Sequence, residues 1–102
     1  MADSTRKQRL DDLEVRHAAL TDVRQSLAAG SMTFGQALRR LRKQLAKLNQ
    51  DDFAQACKVS LRTIRQLEQN EGNPTVETLN SVFGPFGMQV GIVERKRRAG
   101  CG

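Results

Sequence analysis

Residues 49–70 read NQDDFAQACKVSLRTIRQLEQN, and the spacing inside this stretch decides the fold. Asn49 is an N-cap residue, and Gln50, Asp51 and Asp52 fill the turn where the helix dipole favours acidic groups. Phe53, Ala54 and Cys57 then fall on one inward face. That helix ends near Cys57, and about three residues later Ser60 caps another, with Ile64 and Leu67 on its apolar side. Two short helices joined so tightly must cross at a steep angle. The second ends near Asn70, one of the few non-glycine residues that tolerates a left-handed cap. Its other face carries Arg62, Arg65 and Gln66, side chains suited to base edges and phosphates but also common on a solvated helix.

Working outward toward the N-terminus, Thr33-Phe34-Gly35-Gln36 has the spacing of a capping box. Ala37, Leu38, Leu41, Leu45 and Leu48 follow as one apolar face, with Arg39, Arg40, Arg42 and Lys43 around the rest, so one helix is expected from Thr33 to Leu48. Before it, residues 10–29 read as an accessory helix. Leu13, Leu20 and Leu27 repeat every seven, flanked by Leu10 and Val23 and interrupted by His17 and Arg24. Gly30-Ser31 is a stop, and the polar residues 1–9 are expected to fray. Three roles are open to this helix: capping the core, widening a dimer interface, or receiving a protein partner.

Toward the C-terminus, Glu71–Pro74 is a loop and Thr75 caps a helix with Val76, Leu79, Val82 and Phe83 apolar. Gly84-Pro85-Phe86-Gly87 breaks it. Met88, Val90 and Ile92 then alternate with Gln89 and Gly91, the pattern of a strand over 88–93. The basic run Arg95–Arg98 follows, either a phosphate-binding arm or an idle tail.

The 102 residues suffice for one core, and with no Trp or Tyr and four Phe that core is mainly aliphatic, which favours a helical bundle. The net charge of +6 is clustered. Residues 1–30 balance five basic against five acidic groups, whereas residues 31–50 hold Arg39, Arg40, Arg42, Lys43 and Lys47 and no acid. Such clustering points to a polyanion, nucleic acid first and membrane surface second. A single histidine and the lack of any metal-ligand spacing, phosphate-cradling glycine loop or pocket-forming carboxylate pair argue against an enzyme, a metal centre or a cofactor. Cys57 and Cys101 form no CxxC pattern, no apolar leader or membrane span is visible, and a cytoplasmic, nucleoid-associated protein is expected.

Residues 33–83 resemble the helix-turn-helix domain of the phage-repressor (XRE, Cro/cI-like) family. The resemblance is carried by Gln50, Phe53-Ala54, Val59-Ser60, Ile64, Glu68 and the Pro74-Thr75 helix start. It implies a mainly α, four- or five-helix lambda-repressor-like domain at 33–87. Residues 1–32 would be a tail and accessory helix, and 88–102 a dimerisation strand and basic tail. In that family the helix at 50–57 crosses the DNA backbone and the helix at 61–69 enters the major groove. Carried over by position, Ser60, Leu61, Arg62, Arg65 and Gln66 would contact bases, and Gln50, Arg42, Thr63 and Asn70 phosphates. Arg62 suits guanine and Gln66 adenine; Leu61 either meets a thymine methyl or belongs to the core. Lys43 and Glu68 stand where the family often has a partly buried ion pair. Two turns depart from the pattern: Lys58 and Asn70 replace glycines at left-handed positions, and the lysine costs roughly 1–2 kcal/mol.

A lone strand leaves backbone groups without partners. A second copy would supply them, with Met88, Val90 and Ile92 pairing across a twofold axis, as in the HipB-like antitoxin branch that "GMQVGIVERKRR" resembles; the alternative is a tail packed on its own helices. The implied function is a dimeric repressor reading a palindrome in double-stranded DNA. Its possible settings are the antitoxin of a HipA-type kinase, a stand-alone phage-like regulator, or chiefly a protein-interaction module.

Overall fold

A computed structural model describes residues 2–94, with side chains from Arg9 onward. Helix α1 spans Ala2–Ala29. It holds no glycine or proline, so it begins at Ala2 rather than fraying through residue 9. It stops where expected. Gly30 takes φ +74°, its N–H donates to the Leu27 carbonyl at 3.1 Å, and that of Ser31 donates to Ser26 at 2.9 Å, the two bonds of a Schellman ending. The heptad stripe splits in two. Ala19 and Val23 are buried and Leu20 and Leu27 pack on the core edge, while Leu10 and Leu13 lie exposed. Core capping is therefore the work of the second half of α1 only.

Helix α2 spans Phe34–Leu41 and opens on the complete capping box: the Gln36 N–H donates to Thr33 Oγ1 at 3.1 Å and the Thr33 N–H to Gln36 Oε1 at 2.9 Å. Ala37, Leu38 and Leu41 are fully buried. The helix does not continue to Leu48. Residues Arg42–Ala46 form a π-helical turn that ends at Lys47, with φ 54°. A π turn holds more residues than an α turn and so rotates the faces that follow. Arg42, one α turn after Leu38, points inward, Leu45 stays buried, and Leu48, beyond the π turn, lies at the surface.

Helices α3 (Gln50–Cys57), α4 (Leu61–Glu68) and α5 (Val76–Phe83) complete the bundle. Asn49, Ser60 and Thr75 each accept a hydrogen bond from the backbone N–H three residues on, at 2.7, 3.0 and 3.1 Å. One cluster of Val23, Leu38, Leu41, Phe53, Ile64 and Val82 forms the centre, and Phe86 stacks on Phe53 with centroids 5.9 Å apart. Val76, expected inside, is exposed in the first turn of α5.

Residues 88–94 form no strand, and no strand occurs among the described residues. Met88 packs on the core, the Val90 N–H donates to Asn80 Oδ1 at 2.7 Å, and Ile92 and Val93 are exposed. The alternation of Met88, Val90 and Ile92 survives as a single inner contact fading outward. A strand is defined by its pairing, and among the described residues no second strand stands beside this segment. The run Arg95–Arg98 and Cys101 lie outside the described residues.

Candidate nucleic-acid interface

The sequence 49–70 folds as the steeply joined helix pair its spacing predicts. The turn is made by Lys58 at φ 58°, whose N–H donates to Gln55 at 3.2 Å while that of Val59 donates to Ala54 at 3.0 Å. This is a Schellman ending built on lysine, so the strain expected at position 58 is present. Asn70 does the same at the far end of α4: φ is 57°, and the N–H groups of Asn70 and Glu71 reach the Leu67 and Gln66 carbonyls at 3.1 and 2.8 Å.

Ile64 and Leu67 anchor α4 in the core, and Val59 packs beside them. On the opposite side Ser60, Arg62 and Arg65 are exposed, and Leu61, Thr63 and Gln66 are half-exposed. Leu61 is no member of the core cluster, which leaves it with the outward set. The Ser60 and Thr63 hydroxyls lie 2.7 Å apart in a mutual hydrogen bond, so each keeps only part of its capacity for another partner. Leu61, Arg62, Arg65 and Gln66 therefore lie away from the Ile64–Leu67 side of α4, and Ser60 stands at its cap.

The expected phosphate set is not brought together in the same way. Arg42 is buried, and three of its five N–H donors are engaged: Nε donates to Glu68 Oε2 at 2.7 Å, Nη2 to Glu68 Oε1 at 2.9 Å, and Nη1 to the Leu48 carbonyl at 2.8 Å. It has no free face for a phosphate. The ion pair expected between Lys43 and Glu68 is thus made by Arg42, and Lys43 is exposed. Arg42 lies four residues after Leu38 and next to Leu41, on the buried face that α periodicity defines, whereas Lys43 falls outside that face.

Gln50 also reaches this centre, donating from Nε2 to Glu68 Oε1 at 3.2 Å. Its carbonyl oxygen stays outside the network. Asn70 Oδ1 accepts from the Gly35 N–H at 3.2 Å, so its side chain ties α4 to α2. Sequence reasoning missed that joint and the glycine that permits it. A Cβ on Gly35 would stand 2.3 Å from the Leu67 carbonyl oxygen and 2.6 Å from Asn70 Oδ1. A glycine in the first turn of a predicted helix, with no turn to explain it, is the signal that points to such a close approach.

Of the basic block on α2 and the π turn, Arg39, Lys43 and Lys47 are exposed, while Arg40 pairs with Asp22 of α1 and bonds through Nε to Gln44 Oε1 at 3.1 Å. Cys57 is buried, and desolvation pushes its thiol pKa up, which keeps the sulfur protonated and unreactive. Among the described residues no group of side chains has the make-up of a metal site, and no buried side-chain polar atom lacks a partner.

Residues 38–87 match the helix-turn-helix family. The match covers the second half of α2, the π turn, α3, α4 and α5. Over 62 residues, 61% of this chain, the sequence is also 34% identical to the immunity repressor protein of Bacillus phage phi105. That stretch represents 42% of the phage protein, so the chain spans less than half the length of this curated relative. No solved structure matches the chain. Within the matched residues α3 is the first helix of the pair, Lys58 its turn and α4 the second helix. No described helix is long and apolar enough to cross a membrane.

Proposed function

We propose that this helix-turn-helix protein is a sequence-specific DNA-binding transcriptional repressor that reads the major groove with α4. The observation that carries the reading is the outward side of α4. Leu61, Arg62, Arg65 and Gln66 lie on it and Ser60 stands at its cap, on a helix whose inner side and both ends are tied to the bundle. Arg62 and Gln66 have the donor and acceptor sets for guanine and adenine edges. Thr63, Gln50 and the exposed Lys43 and Lys47 serve the phosphates, with Arg42 withdrawn into a structural role. The similarity to a phage immunity repressor supports repression over activation.

The repressor acts as a dimer on a palindromic operator. The exposed Ile92 and Val93 and the unladdered backbone of 88–93 favour pairing of that segment with a second copy. Between the stand-alone phage-type regulator and the antitoxin of a HipA-type kinase, the phage relative favours the former. A neighbouring kinase-like product that co-purifies with the chain would reverse that preference.

The test is selection of bound DNA from a random pool, followed by Arg62→Ala/Gln66→Ala. The double variant is expected to lose its preference for the selected site by about 2–6 kcal/mol, two base contacts' worth, while nonspecific binding falls less. Half-sites should lie about 10 bp apart or a multiple. Unchanged footprints and binding curves in the double variant would show that α4 reads nothing.

A further inference from the structure

We propose that the N-terminal half of α1 pairs with α1 of a second copy as a short, parallel two-stranded coiled coil. The seam is Leu10, Leu13 and His17. These residues follow one another at spacings of three and four, the a and d places of a heptad repeat. Leu10 and Leu13 are 54% and 61% exposed on an ordered helix, whereas Leu20 and Leu27, at the same heptad place as Leu13, rest on the core. The stripe therefore runs along the edge of the core-facing side of α1, whose centre is Ala19 and Val23, and toward the N-terminus it has no cover.

Charge identifies the neighbour and its direction. With Leu10 at a and Leu13 at d, Arg9 and Arg16 take the g places and Glu14 an e place. All three are exposed. In a parallel pair, g faces the e place of the next heptad on the other chain, so Arg9 meets Glu14 of the second copy, twice by symmetry. Antiparallel pairing would set the arginine flanks against each other. Residues 1–30 carry no net charge while the chain as a whole carries +6, so α1 is where two copies approach with least repulsion. His17 and Arg24 at a weaken the seam and end it, which confines the pairing to the free half. A parallel coil also leaves both helix-turn-helix domains at the same end. The pairing does not rest on the DNA-binding reading.

The test uses the full chain with Cys101→Ser, carrying either Leu13→Cys or Val15→Cys. Leu13 and Val15 are equally open in one chain, at 61% and 64% exposure, and Val15 lies off the seam. Under mild oxidation Leu13→Cys is expected to reach the covalent dimer at least about tenfold faster, as a thiol held at a d place facing its symmetry mate. Equal rates would overturn the proposal, including the case in which residues 88–93 alone hold two copies together. Sedimentation tests the direction. Arg9→Glu should weaken self-association roughly 2- to 30-fold, the range for two exposed charge pairs, and Arg9→Glu/Glu14→Arg should restore it. A double variant as weak as the single one would overturn the parallel register.

Discussion

Replacing Gly35 with alanine adds one methyl group and should disturb the placement of α4 more than any change on its outward surface. The added carbon would lie 2.3 Å from the Leu67 carbonyl oxygen, 2.6 Å from Asn70 Oδ1 and 3.0 Å from the Glu68 carbonyl oxygen. Two of those three atoms are backbone, so no rotamer change relieves the contact, and α2 and the end of α4 must separate. Overpacking of this kind costs about 1–3 kcal/mol, and the strained Gly35–Asn70 hydrogen bond puts about another 1 kcal/mol at risk. Against this stands the better helix propensity of alanine, about 1 kcal/mol. The net is a destabilisation of about 1–3 kcal/mol, or roughly 4–20 °C in Tm for a domain of this size. Denaturant and thermal unfolding by circular dichroism measure it. Gly84→Ala is the control, since nothing lies within 4 Å of a Cβ there and its φ is −53°. If Gly35→Ala proved as stable as the parent, the close approach of α2 to α4 would not exist in solution.

Two further substitutions probe the other supports of α4. Arg42→Ala leaves the buried Glu68 carboxylate with only the Gln50 amide, and should cost about 3–5 kcal/mol in a denaturant titration; Arg42→Met/Glu68→Leu, which removes both charges, should recover most of that loss. Lys58→Gly relieves a left-handed non-glycine turn worth roughly 1–2 kcal/mol, offset in part by glycine's backbone entropy, so a midpoint shift equivalent to up to about 1 kcal/mol of added stability is expected. A loss of stability at Lys58→Gly, or a double variant as unstable as Arg42→Ala, would contradict the geometry described.

The caps, turns and core of the helix pair were legible because each depends on residues close in sequence. Asn49, Ser60, Thr33 with Gln36, Lys58 and the backbone of Asn70 all act within five positions of where they stand, and all behave as their chemistry predicts. What was not legible depends on phase or on distance. The π turn at Arg42–Ala46 carries no signature residue, yet it ends the helix early and leaves Leu48 at the surface. An arginine surrounded by lysines and arginines reads as one more surface charge until the partner from α4 is known. The free half of α1 was hidden for a related reason. A leucine every seventh residue looks the same whether it meets its own core, as Leu20 and Leu27 do, or nothing in the chain, as with Leu13.

The position of α4 follows from how its supports are distributed. Its start is set by the Lys58 turn and the Ser60 cap, and its middle by Ile64 and Leu67 in the core. Its end is held twice, by the Asn70–Gly35 bond to α2 and by Glu68 in the grip of Arg42 and Gln50. The second hold joins more than two parts. One guanidinium on the π turn binds both the α4 carboxylate and the Leu48 carbonyl, just ahead of the Asn49 cap of α3, so displacing α4 also displaces the entry to α3. The two helices of the pair therefore move as one body. A ligand pressed against α4 would meet side chains on a backbone held at its start, middle and end.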